Sequence, residues 1–148
     1  MLDLAARRPE TGRVRWLLGD VLDPGLPLDR TGYDAVTALS SLHHMPLRPG
    51  LERLAGLVRP GGTLAVVGLY RPAGTDYALE AVALPANAVV GAVLAVRGRA
   101  GKPHDHGMPV RDPDVTIADL RATARDLLPG AQIHRRLFWR YTLRWRRP

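Results

Sequence analysis

No cysteine occurs in these 148 residues, which excludes disulfides, thiolate metal sites and thiol catalysis together. A reducing cytoplasm fits that absence, and cytoplasmic is the expected location, although the absence does not require it. Aromatic residues are only 5% of the chain. Lysine is scarce, so the net charge of +7 rests almost wholly on arginine. The segment Met1-Leu2-Asp3-Leu4 lacks a basic leader followed by an apolar run, so it reads as neither a signal nor a transit peptide. No internal repeat or low-complexity tract occurs. What is there is an ordinary globular composition, 46% hydrophobic and 24% charged, in a chain long enough to enclose one core.

Six arginines fall in the last fourteen residues: Arg135, Arg136, Arg140, Arg144, Arg146 and Arg147. One reading is a patch for phosphates or other anions. The plainer reading is the solvated face of an edge strand, guarded against aggregation by charge. The same run alternates Leu137, Trp139, Tyr141, Leu143 and Trp145 with Arg136, Phe138, Arg140, Thr142 and Arg144, which is strand periodicity with the first set buried. It is long enough for two antiparallel strands, yet no glycine or proline marks a turn.

Upstream, the spacing of Leu2, Ala5 and Ala6 predicts a short helix over residues 1–8, stopped by Pro9. Residues 13–18 read as a strand ended by Gly19-Asp20, and Pro24-Gly25-Leu26-Pro27 as a loop. Tyr33 to Leu39 is a short apolar run expected to be a strand buried on both faces. Leu51, Leu54, Leu57 and Val58 mark an amphipathic helix that Pro60-Gly61-Gly62 ends, and Thr63 to Val67 reads as a second buried strand. Tyr77 to Val96 is apolar nearly all round, but Glu80 and Pro85 argue against a membrane span, leaving one or two helices as a lid or dimer surface. Residues 98–113 read as an exposed loop. Thr116 and Asp119 form a capping pair for a helix whose buried face is Ile117, Leu120, Ala124, Leu127 and Leu128, closed by Pro129-Gly130. Strand–helix–strand order argues a parallel sheet with crossovers.

Gly19-Asp20-Val21, Gly32-Tyr33-Asp34-Ala35-Val36, Ser41-Leu42-His43-His44 and Arg59-Pro60-Gly61-Gly62-Thr63-Leu64 follow one another in order. No single piece is specific, but the set over some fifty residues resembles the class I S-adenosylmethionine-dependent methyltransferases, especially the small bacterial ones. The resemblance implies an α/β, Rossmann-like fold with a mostly parallel sheet and an antiparallel C-terminal strand pair, truncated at its N-terminus. It makes residues 1–148 one partial domain, with 77–112 as a variable helical and loop insertion. The implied cofactor is S-adenosyl-L-methionine and the implied activity is methyl transfer to a small-molecule acceptor, with no specific nucleic acid and no stable membrane insertion. Asp20 is implied to accept from the adenine amine, with the backbone of Val21 beside the ring. Leu39 and Ser40, followed by Ser41, are implied to line the sulfonium end. The alternative for Asp20 is a turn or capping residue.

His43 and His44 carry two readings. A base is needed only where the methyl acceptor must lose a proton, and a histidine suits that task. Packing against the pocket is the plainer role, with His44 the candidate base. His104-Asp105-His106 is too sparse for a metal site, and none is expected. The upstream strand and Gly-rich loop of the resembled family have no counterpart here, since the only glycines before residue 25 are Gly12 and Gly19. A start codon assigned at an internal methionine would produce this sequence. The competing reading is a short, non-catalytic relative that acts as a binding or dimerisation partner. Either way the segment 14–18 loses its natural neighbour and must pair with Tyr33–Leu39, pair with another chain, or leave its backbone groups unmet.

Overall fold

Two apolar runs separated by one helix build the centre of the fold. A computed structural model describes residues 14–74, 76–77, 85, 92–93, 96 and 112–148 of the chain. The first run is strand β1, Tyr33–Leu39; after a 3-10 turn at Leu42–His44 comes helix α1, Leu47–Gly56, and then strand β2, Val58–Leu69. Helix α2 spans Ile117–Leu127, followed by strands β3, Gln132–Arg136, and β4, Arg140–Arg146. The sheet order is β1-β2-β4-β3. β1 runs parallel to β2, while β4 is antiparallel to both β2 and β3. Among the described residues the sheet is mixed, with one parallel and two antiparallel pairings, and it carries the antiparallel C-terminal pair expected of a Rossmann-like domain.

One face of the sheet carries the core. Ala38, Leu64, Val66, Tyr141, Leu143 and Trp145 meet Leu51 and Leu54 of α1 and Ile117, Leu120 and Ala124 of α2. Leu51, Leu64, Leu120, Leu128 and Leu143 are fully enclosed, and each such leucine contributes about 2 kcal/mol. The two helices are bridged on the outside by Arg48, whose Nη2 lies 2.8 Å from Oδ2 of Asp126. α2 starts on the expected capping box: Thr116 Oγ1 accepts from the Asp119 N–H at 3.2 Å, and Asp119 Oδ2 accepts from the Thr116 N–H at 3.1 Å. Asp76 is buried and forms an ion pair with Arg135 of β3, while its Oδ2 accepts from the Ala73 N–H, tying the chain after β2 to the sheet.

Several expectations are corrected. Val14–Leu18 forms no strand; Val14, Trp16 and Leu18 are exposed, and the segment is held instead by Arg15, which donates to the Pro27 carbonyl at 3.1 Å. No ladder partner lies beside it among the described residues. β1 is buried on one face rather than two, because Ala35, Thr37 and Leu39 point to the face opposite α1 and α2 and are exposed. β2 starts at Val58, five residues before Thr63, so Pro60-Gly61-Gly62 forms a bulge inside the strand: Tyr33 faces Val58 and Ala35 faces Thr63. Leu137 and Trp139 are exposed, since residues 137–139 form the turn that lets β3 and β4 pair. That turn uses Phe138 and Trp139 at φ 61° and 54°, not glycine, which is why composition gave no sign of it. Asp76 and Tyr77, Pro85, Ala92, Val93 and Val96 are helical; the remainder of 78–111 and the helix expected at 1–8 lie outside the described residues. No described helix is long and apolar enough to cross a membrane.

Gly62 is the tightest point of the bulge: a Cβ there would lie 2.8 Å from the Asp34 carbonyl oxygen and 2.9 Å from that of Arg59, both backbone atoms. Gly62→Ala is therefore expected to destabilise the protein by about 2–3 kcal/mol in urea unfolding. Gly56→Ala, in α1 with open space around its Cβ, is expected to stabilise it by about 0.5–1 kcal/mol. A pH dependence follows from the α2 cap. The Asp119 carboxyl lies below its ordinary 3.8 because the Thr116 hydroxyl and then the Thr116 backbone N–H donate to it. A depressed carboxyl contributes stability above its unfolded value and loses it as pH falls through the folded one. Asp119→Asn is expected to flatten the acid limb of the urea midpoint measured between about pH 5 and pH 2.

Candidate functional site

The carboxyl end of a parallel strand is where loops open a crevice, and β1 ends in one. A cavity of about 570 Å³ is lined by Asp20, Val21, Thr37, Ala38, Ser41 and His44, with Gly19, Leu22, Met45, Pro46 and Leu54 completing its wall. Its size suits a small organic ligand. A second hollow, of about 900 Å³, continues along β1 toward the extended Val14–Leu17 and shares Gly19, Val21 and Thr37 with the first.

The wall that holds Asp20 is a chain of tight turns. The Asp20 carbonyl accepts from the Asp23 N–H at 3.0 Å, and Asp23 Oδ1 accepts from the Gly25 N–H at 2.8 Å. Asp20 Oδ1 accepts from the Leu22 N–H at 2.9 Å, which fixes the carboxylate's direction. Its other oxygen, Oδ2, has no partner among the described residues. The turn role and a ligand role thus fall to different oxygens of one side chain. Val21 is half-buried and packs against the core, giving the crevice an apolar wall beside the carboxylate.

Opposite lies the 3-10 turn. The His44 N–H donates to the Ser41 carbonyl at 3.0 Å, and the rings of His43 and His44 stand 4.1 Å apart, tilted by 38°. His43 is buried in the body of the fold, so that His44, exposed, is the histidine at the crevice. Leu39 and Ser40 do not line the cavity. Leu39 is 69% exposed on the opposite face of the sheet. Ser40 takes φ 48° and donates its N–H to the Val67 carbonyl at 2.7 Å, turning the chain so that Ser41 enters the wall instead. The structure brings Asp20, Val21 and His44 together and leaves Leu39 and Ser40 beside them. Among the described residues no group of three or more metal-ligating side chains occurs, and His104-Asp105-His106 lies outside them.

Arg53 was not singled out by sequence. It projects from α1 between the buried Leu51 and Leu54, and its Nε donates to the Val21 carbonyl at 2.9 Å, its Nη2 to the Asp23 carbonyl at 3.5 Å. The helix thereby clamps the loop that carries Asp20. The one sequence signal was a cation on a helix flank bordering apolar positions, a pattern too common to stand out.

Residues 1–66 match the family model described as a methyltransferase domain. Proteins from Mycobacterium tuberculosis strain H37Rv and Mycobacterium bovis, each described as an uncharacterized methyltransferase, are 37% identical over 150 residues, an alignment that spans all of this chain and 72% of theirs. Among solved structures, an O-methyltransferase family protein from Burkholderia thailandensis superposes with a TM-score of 0.51 at 21% identity, over 92% of this chain and 36% of that one. A possible exported protein from Bordetella parapertussis superposes at 0.53 and 20% identity, over 99% of this chain and 48% of that one. This chain therefore spans about a third to a half of the length of those two structures, and the likeness to them is one of fold.

The clamp makes a prediction. Arg53→Ala is expected to free the 20–23 turn, speeding amide exchange at Leu22 and Asp23, and to lower stability by about 1–2 kcal/mol. Hydrogen exchange read by NMR checks both, and unchanged protection at Leu22 would refute the clamp.

Proposed function

This chain belongs to the class I S-adenosylmethionine-dependent methyltransferases, and we propose that its crevice takes the nucleoside of S-adenosyl-L-methionine and directs its methyl group to a small-molecule acceptor. The observation that carries this reading is the unpartnered Oδ2 of Asp20 on a carboxylate already fixed through Oδ1, beside the apolar wall of Val21. A fixed acceptor next to an apolar surface fits a flat aromatic ring with an exocyclic amine. When bound, the cofactor supplies an electrophilic methyl on a sulfonium that carries its own leaving group. The chain's part is to bind, orient and exclude water.

Asp20 accepts the amine, Val21 packs against the ring, and Arg53 holds both in place through the Val21 carbonyl. Ser40 shapes the end of β1, and Ser41 presents its side to the crevice. His44 lines the same cavity from the other side and is the residue placed to take a proton from an acceptor that must lose one. Its neighbour His43 braces it by ring contact.

The test is calorimetric titration of the 148-residue chain with S-adenosylhomocysteine. Binding is expected, and Asp20→Ala is expected to weaken it by about tenfold or more, equal to about 1.4 kcal/mol or more. Asp20→Asn, which keeps an acceptor oxygen but loses the charge, should fall between the two. His44→Ala should leave binding within about twofold, since a proton-accepting role belongs to the chemical step and not to nucleoside binding. A folded chain that does not take the nucleoside would instead favour the non-catalytic, partner-binding reading.

A further inference from the structure

Two arginines face each other across the β3–β4 ladder with no carboxylate between them among the described residues. Arg136 is the direct partner of Arg140, so both side chains leave the same face of the sheet, and both are exposed. Directly opposed residues hold their Cβ atoms about 4.5–5.5 Å apart, and like charges so placed are destabilising. Guanidinium groups do not escape by losing a proton. Arg135, one position earlier, points to the other face and is paired with Asp76. Neither Arg136 nor Arg140 has a carboxylate within ion-pair distance among the described residues. Arg136 Nε donates to Thr142 Oγ1 at 3.3 Å, and the Arg140 side chain has no hydrogen-bond partner among the described residues.

The pair stands at an informative place. Arg140 is the ladder partner of Leu69, at the carboxyl end of β2, and Leu39 is the partner of Val67 on the same strand. Arg140 therefore lies at the end of the sheet where β1 opens into the crevice. With strands about 4.8 Å apart and about 3.3 Å per residue along each, the Cα atoms of Arg140 and of Thr37, which lines the crevice, are about 16 Å apart. A guanidinium side chain and a small molecule together bridge that span. Leu137 and Trp139, exposed in the adjoining turn, give the place an apolar flank.

We propose that Arg136 and Arg140 form an anion subsite that receives the carboxylate or phosphate group of the methyl acceptor, an inference that rests on the methyl-transfer reading above. The two forks converge on one oxyanion, whose charge removes their mutual repulsion and whose two or three oxygens match their geometry. The acceptor is then a small oxyanion with an apolar body, reaching from the arginine pair toward the crevice. Arg144 shares the sheet face but is paired with Gln132 and Ala65, with no second cation opposite, and does not belong to the subsite.

The test uses the full chain labelled at arginine Nε and titrated, at constant ionic strength, with sodium benzoate and separately with inorganic phosphate. Saturable shifts of the Arg136 and Arg140 Nε–H signals are expected. Arg136→Gln and Arg140→Gln should each weaken the apparent Kd by about tenfold, and Arg144→Gln by less than about twofold. Each pair variant has lost a like-charge neighbour and should unfold at no lower urea concentration than the parent, so loss of binding is not loss of fold. Tighter benzoate identifies a carboxylate acceptor, and tighter phosphate a phosphate ester. Linear, unsaturable shifts, or equal effects in all three variants, would overturn the subsite. S-adenosylhomocysteine binding on the same samples separates the two readings. Nucleoside bound without either anion overturns the subsite alone, whereas anion bound without nucleoside overturns methyl transfer and with it the acceptor role of the pair.

Discussion

β2 is hydrogen-bonded on both sides, parallel to β1 and antiparallel to β4, and every other element is placed through it. Two close approaches make that double pairing feasible. At Gly62 the bulge lets the strand gain three residues on β1 without losing contact, because the backbone carbonyls of Asp34 and Arg59 occupy the space a side chain would need. At Gly68 the phenol ring of Tyr141 fills that space instead, within 2.5 Å of where a Cβ would stand. Burial under the sheet pushes the Tyr141 hydroxyl well above its ordinary value, so it stays neutral and packs as part of the core. The sheet continues past the bulge: the Gly61 N–H donates to Arg147 and the Arg147 N–H to Gly62, at 2.9 and 3.0 Å.

A centre anchored in this way leaves the two sides of β2 unlike each other. On the β4 side the ladder is long and closed by β3, and the chain leaving β2 is tied down by the Asp76–Arg135 pair and by the Arg71 N–H donating to Val115 at 2.8 Å. On the β1 side no strand follows among the described residues. The crevice opens at that side, and its wall is held by a loop of local turns plus a single helix side chain, Arg53, rather than by a ladder. Local hydrogen bonds open more readily than ladders, so the crevice wall is the less protected side of the fold.

Legibility from the sequence followed the range of the forces involved. Helix α2 was legible to the residue at its start because a capping box is a contact between positions three apart, and its buried face followed from the 3.6 period. β1, α1 and the core of β2 were legible from apolar spacing, and Asp20, Val21 and His44 from motif order. What failed was non-local. The strand expected at residues 13–18 has the right pattern but no neighbour to pair with among the described residues, and a strand exists only by pairing. The one-sided burial of β1 depends on which face the helices cover, which no run of seven residues encodes. Arg53 acts on a loop thirty-two positions away, and Asp76 and Arg135 are fifty-nine apart, so nothing in either neighbourhood announces the contact.

Backbone strain is unevenly distributed between the two ends of the sheet. At the amino end of the parallel strands, positive φ is supplied by glycine: Gly32 before β1, Gly61 in the bulge and Gly130 before β3. At the carboxyl end it is supplied by three residues with side chains, Ser40 after β1 and Phe138 and Trp139 between β3 and β4, and by one glycine, Gly74, after β2. A left-handed conformation costs such a residue about 1–2 kcal/mol that glycine would not incur. Three of them at one end amount to a sizeable share of a domain's stability of about 5–15 kcal/mol. The neighbouring hydrogen bonds, Ser40 N–H to Val67 and Tyr70 N–H to the Trp139 carbonyl, hold the strained turns in register but do not explain why glycine is absent from them. Side chains at those positions are accounted for if the carboxyl end must present a surface: Ser40 directing Ser41 into the crevice, and Phe138 and Trp139 carrying Arg136 and Arg140 face to face at the rim. Among the described residues, side-chain-bearing residues in the left-handed region occur only at the end of the sheet where the crevice opens.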